Sequence, residues 1–253
     1  MRSEITVKTA SCQPLWLRAA AVAILALTLL VSFTYAVPQN ADPGPSEIRK
    51  MIRKAVKLTR NESLAEAEAL LRRVLELAPA NSAAKVELAF LLTKQRRLTD
   101  AYNLVFPVAE AEPTNARAFS VLGNVLLTGG RFKEARAIFF NAIRIDRRQH
   151  LAWAGYGLLD FYENRIGESL ANLNEATFHA PDEPDHLFAL AQVSARAEHY
   201  TEAADAYRKF LNVSSINDKD RRARIVSLIN FLRFLGQRTS LYQSVGSEST
   251  DVG

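Results

Sequence analysis

From residue 46 onward the apolar positions keep a helical rhythm, and the helical segments come in pairs. Phe119, Leu122, Gly123 and Leu126 fall at i, i+3, i+4 and i+7, one face of a helix. After Gly129-Gly130, the series Ala135, Ile138, Phe139, Ala142 and Ile143 keeps helical spacing. Two amphipathic helices joined by a glycine turn are therefore expected. The pair itself recurs every 34 residues. Ala67, Ala101, Ala135, Ser169 and Ala203 form one column, and Ala55, Ala89, Gly123, Gly157 and Ala191 a second. Leu64, Leu98, Phe132, Ile166 and Tyr200 form an apolar third. Pro79, Pro113 and Pro181 form a fourth, interrupted by Arg147 and ending at Ser215. Repetition at such a period marks an array of supersecondary units.

The columns have physical causes. Antiparallel helices joined by a short turn approach closely only where neither carries a large side chain, which places Gly123 and Ala135 at a crossing. Phe119, Leu126 and Phe139 fill the space around it. Proline ends the second helix of a pair, because it cannot continue a helix and disfavours helical geometry in the residue before it.

These residues resemble the tetratricopeptide repeat (TPR) family, whose pattern is W-x2-L-G-x2-Y, then A-x3-F, then P. Phe119, Leu122, Gly123, Leu126, Ala135, Phe139 and Ala142 carry it in the third unit; Trp153, Tyr156, Gly157, Leu173, Ala176 and Pro181 carry it in the fourth. The resemblance implies an all-α, right-handed α-solenoid of five helix-turn-helix units over residues 46–217. The units are 48–81, 82–115, 116–149, 150–183 and 184–217. Lys54, Lys85, Asp160 and Ser194 stand where large apolar groups belong and predict looser packing in the first, second, fourth and fifth units. Residues 218–236, with Ile225, Leu228, Ile229 and Leu232 as a stripe and Gly236 as C-cap, read as a helix covering the end of the array. Residues 237–253, rich in Ser and Gly, read as a disordered tail.

In the TPR superhelix the first helix of each unit lines a concave groove. Carried over by resemblance, the partner-binding positions are Ile52, Val56, Val86, Phe90, Arg117, Asn124, Leu158, Phe161, Phe188 and Gln192, with Arg49, Arg60, Lys94 and Arg196 nearby. The Lys/Asn clamp by which some relatives hold a terminal carboxylate is absent, since Ile52/Val56, Val86/Phe90 and Ser120/Asn124 occupy those positions. What remains suits an apolar segment of a protein or peptide, with arginines pairing its acids.

Ahead of the array, Ala19 to Val31 is an uncharged apolar run preceded by Arg2, Lys8 and Arg18, and it leads to Thr34-Tyr35-Ala36. Residues 1–36 therefore read as a secretory signal cut after Ala36, or as an uncleaved signal anchor giving membrane association through residues 19–36. No Lys or Arg follows Arg18 until Arg49, so everything after residue 37 is expected outside the cytoplasm, periplasmic or on the extracellular face. Residues 37–45, with three prolines, read as a non-helical linker.

The remaining chemistry is sparse. Cys12 is the only cysteine, so a disulfide framework and a thiolate zinc site are excluded. The four histidines make no H-E-x-x-H, and no G-x4-G-K-[ST] or G-x-S-x-G occurs. His179 and His186 flank three acids, but at a repeat junction, where such residues cap helices. No metal or cofactor is expected. A net charge of +5 is too small to suggest nucleic acid, and the Arg221-Arg222-Ala-Arg224 cluster reads as a solvated face or a contact to anionic lipid. The functional expectation is a non-enzymatic adaptor or scaffold assisting envelope assembly or complex formation. The alternative is a recruitment module for an enzyme whose catalytic domain lies on another chain or on a C-terminal extension. Self-association through the capping helix is a third expectation.

Overall fold

A computed structural model describes residues 44–216 and 218–248; the expected leader and the linker as far as residue 43 lie outside the described residues, as do residues 249–253. The described residues form eleven α-helices and no strand. Ten of them pair as α1 (Pro45–Arg60) with α2 (Leu64–Leu77), α3 (Ser82–Lys94) with α4 (Leu98–Ala111), and α5 (Ala116–Thr128) with α6 (Phe132–Ile145). The pairs α7 (His150–Tyr162) with α8 (Ile166–His179) and α9 (Pro184–Arg196) with α10 (Tyr200–Val213) follow, and α11 (Lys219–Glu248) closes the series. Each helix packs on its partner and on the next pair, the arrangement of a solenoid. The described residues from Pro45 onward form a compact unit, and its core clusters draw on residues 48–232.

The turns within the pairs reveal a fifth column at the 34-residue period. Glu62, Arg96, Gly130, Asn164 and Glu198 all take left-handed backbone, with φ of 62°, 64°, 76°, 58° and 63°. In each turn the following amide donates to a carbonyl five residues back, as Arg97 N to Leu92 O at 2.9 Å and Arg131 N to Leu126 O at 2.9 Å. This closure satisfies carbonyls that a helix end would otherwise leave open. The glycine turn expected in the third unit is thus one of five like turns, only one of which uses glycine. Asn81 and Asn115 begin α3 and α5 by accepting the amides of Ala84 at 2.9 Å and Ala118 at 3.0 Å, the usual N-cap bond.

Helix spacing is set by the Phe139 ring on α6, which is fully buried. A β-carbon placed on Gly123 of α5 would stand 2.6 Å from that ring, and one on Gly155 of α7 only 2.1 Å. Gly123 therefore makes room for Phe139 itself, and the ring spans two units. On α7 and α8, a β-carbon at Gly157 would stand 2.7 Å from Leu173, while Ser169 Oγ donates to Gly157 O at 2.7 Å.

Three expectations need correction. Pro45 is not linker but the first residue of α1, where a missing amide is harmless and the fixed φ suits a helix. Gly236 does not end the last helix: α11 runs through it to Glu248, so residues 237–248 are helical rather than a disordered tail. The glycine is there for close approach, since a β-carbon would meet Thr201 Oγ1 at 2.8 Å. Asp160 is not a packing defect. It is 3% exposed, yet Arg136 donates to it at 3.0 Å, Asn172 at 2.7 Å, and Arg165 pairs with it as well. A buried carboxylate needs such partners, and these come from α6, α8 and the turn after α7, so the charge ties three elements together.

Gly155→Ala is expected to cost about 1–3 kcal/mol, because the locked Phe139 ring has to shift. Gly130→Ala, with nothing within 4 Å of its β-carbon, is expected to cost about 1 kcal/mol from the left-handed backbone alone. Urea denaturation of residues 37–253 measures both, and equal stability of Gly155→Ala and wild type would overturn the spacing argument.

Candidate functional site: a cavity walled by the five inner helices

The first helices of the five pairs enclose a cavity of about 460 Å³, within the ~300–1,000 Å³ usual for ligand sites. Val56 on α1, Phe90 on α3, Ala154 and Leu158 on α7 and Ala189 on α9 supply its apolar wall, and Asn124 on α5 a polar one. Three cations and three acids share the wall, and each cation already has a partner. Arg117 grips Glu87 with two bonds of 3.0 Å and lies over the Phe90 ring at 5.1 Å. Arg60 reaches Glu183 at 3.2 Å, and Lys94 reaches Asp185 at 2.7 Å. The Arg60 pair crosses from the first unit to the last residue of the fourth, and the Lys94 pair from the second unit to the fifth. Burial raises the Glu183 pKa, against the lowering effect of Arg60.

Two histidines meet in the same wall. His150 Nδ1 lies 2.8 Å from His186 Nε2, and the latter side chain is buried. Burial, then the charge of Arg117, lowers His150 to a pKa of about 4; burial, then His150, lowers His186 to about 3. Both rings are therefore neutral at pH 7, one donating to the other. Thr59, also in the wall, donates to Ala55 O at 3.0 Å. Asn124 is the one polar side chain of the wall without a partner among the described residues. Also among the described residues, no group of three or more His, Cys, Asp or Glu is placed to hold a metal ion.

Family models described as "Tetratricopeptide repeat" match residues 58–124 and 157–218, together just over half of the chain. The chain belongs to the tetratricopeptide repeat family. Its fold resembles that of TTC0263, a thermophilic TPR protein of Thermus thermophilus. The TM-score is 0.60 at 21% identity, over 72% of this chain and 98% of that one. It also resembles pilF of Pseudomonas aeruginosa, with a TM-score of 0.50 at 17% identity over 81% and 100% of the two chains. These likenesses concern the fold. No curated protein matches the sequence significantly. TPR proteins bind protein or peptide partners and are generally non-enzymatic scaffolds.

Of the residues expected in the TPR groove, Val56, Phe90, Arg117, Asn124 and Leu158 line the cavity. Val86 is buried in the core, and Ile52 packs against it. Phe161 lies outside the cavity and packs against the cluster of Ala154, Leu173, Ala176, Ala189 and Val193. Phe188 packs against the rings of Tyr207 and Phe210. Gln192 is exposed and borders, with Phe188, a separate dent against α11. These residues missed the cavity because one helix turns its side chains through a full circle, whereas the wall takes only one strip from each helix. Arg49 and Arg196 do not line it either. The histidine pair went unread because its members lie 36 residues apart rather than 34, so they share no column.

The histidines make stability depend on pH. Their folded pKa values lie below the ordinary 6.5, so between pH 6.5 and about 4 the unfolded chain binds more protons, and stability falls with acidification. Glu183 acts in the opposite direction, so the comparison with a variant is the readout. His150→Leu with His186→Leu is expected to lose less stability than wild type between pH 7 and about pH 4.5 in urea denaturation. An unchanged pH slope would remove the pair from the account.

Proposed function

We propose that this TPR chain is a non-enzymatic scaffold, exported across the cytoplasmic membrane, that takes a short, mainly apolar segment of a partner protein into its inner cavity. One observation carries the reading: the charges of the wall are paired with one another, which leaves Val56, Phe90 and Leu158 for apolar side chains and the Asn124 amide for a peptide group. An apolar segment fits this better than an acidic one, since each wall cation already has its carboxylate. The volume suits a few side chains rather than a long helix. Export rests on the charge pattern around residues 19–31, and a role in envelope assembly follows from that location.

The binding reading is tested by capture from an envelope extract with residues 37–253. Asn124→Ala is expected to weaken capture about three- to tenfold, the value of one hydrogen bond. Phe90→Ser with Leu158→Ser is expected to abolish it, with helix content checked first. Gln192→Ala, outside the cavity, is expected to leave capture unchanged. Equal capture by all variants would move the binding surface elsewhere. For export, a reporter active only outside the cytoplasm, fused after residue 43, is expected to be active; an inactive, stably expressed fusion would sink that part of the proposal.

A further inference from the structure

The last helix covers the array with only part of its circumference. Ile225, Ile229 and Leu232 are buried against the fifth unit. A second apolar edge faces outward, with Leu228 37% exposed, Phe231 56% and Phe234 52%. A helix that serves only as a cover has no use for phenyl rings on its solvent side.

Beyond Asp218 and Asp220 at the start of the helix, the charged residues along that edge are all of one sign. Between Arg221 and Thr239 there are five arginines, at 221, 222, 224, 233 and 238, and no acidic residue. Arg224, Leu228, Phe231, Leu235 and Arg238 follow spacings of four and three along one stripe, so basic groups bracket the apolar ones. Arg238 lies over the Phe234 ring at 5.9 Å. An apolar edge one or two side chains wide, flanked by arginines whose stems can reach past it, is the form of a helix that lies in a membrane interface.

We propose that the outward face of α11 docks on an anionic membrane surface, Phe231 and Phe234 entering the headgroup layer and the arginines pairing with phosphates. A second copy of the chain suits the face less well. Parallel pairing along the stripe sets Arg224 against Arg224, and antiparallel pairing about Phe231 sets Arg224 against Arg238, so like charges meet in both registers. Each arginine near an anionic leaflet adds roughly fivefold to binding, which the same groups cannot do for one another.

Residues 37–253, which hold every core residue among the described residues and omit the apolar run 19–31, are to be floated with phosphatidylcholine vesicles with and without phosphatidylglycerol. Binding at least about tenfold tighter to the anionic vesicles is expected. Phe231→Ser with Phe234→Ser is expected to reduce it at least about tenfold. Arg221→Gln with Arg224→Gln is expected to do the same while leaving the apolar edge intact, so the proposal stays testable should the phenylalanine variant lose helix content. No preference for anionic vesicles, or a preference that survives the arginine changes, would overturn the proposal. So would a mass that doubles with concentration in sedimentation equilibrium and is lost in the phenylalanine variant, since a second copy would then own the face.

Discussion

The architecture hangs on one side chain held between two absent ones. Phe139 is fully buried, and neither Gly123 nor Gly155 could carry a methyl group without displacing its ring. The ring belongs to the second helix of the third unit, yet it touches the first helices of both its own unit and the next. It therefore fixes the distance within a pair and the offset between pairs at once. In a solenoid the curvature is the accumulated offset of successive units, so a contact in the middle of the array shapes the cavity at its inner edge.

That cavity would be a poor apolar site if its charges were loose. Partly exposed ion pairs contribute little net stability, about 0–1 kcal/mol each. Their effect here is to define what remains available. Glu87 holds Arg117 over Phe90, Glu183 and Asp185 occupy Arg60 and Lys94, and the two imidazoles are neutral and bonded to each other. Fixing polar groups on one another leaves a wall that favours apolar side chains and offers one amide to orient them.

The repeat was legible because its cause is local: helical spacing, small residues at crossings and prolines after the second helices all recur at one period. The left-handed column was not, although it has the same period. Its positions hold Glu62, Arg96, Gly130, Asn164 and Glu198, and the strain of four non-glycine residues is offset by backbone bonds that carry no side-chain signature. Half of the expected groove residues reach the cavity, because the family pattern names the inner helix but not the strip of it that faces inward. Asp160 read as a misfit since its three partners come from other elements. Gly236 read as a terminator since a glycine beside Thr201 and a glycine at a helix end look alike in one dimension.

The pairs Arg60–Glu183 and Lys94–Asp185, together with the bond from Ser215 to Asn61 at 3.3 Å, join the beginning of the array to its end. Repeat proteins ordinarily gain cooperativity only from nearest neighbours, so that end units fray independently. Here the first unit holds the fifth directly, and the two ends of the array protect each other. Salt weakens half-exposed ion pairs. Ionic strength thus acts on the tie between the two ends of the array, while the stacking of neighbouring units is left to apolar packing.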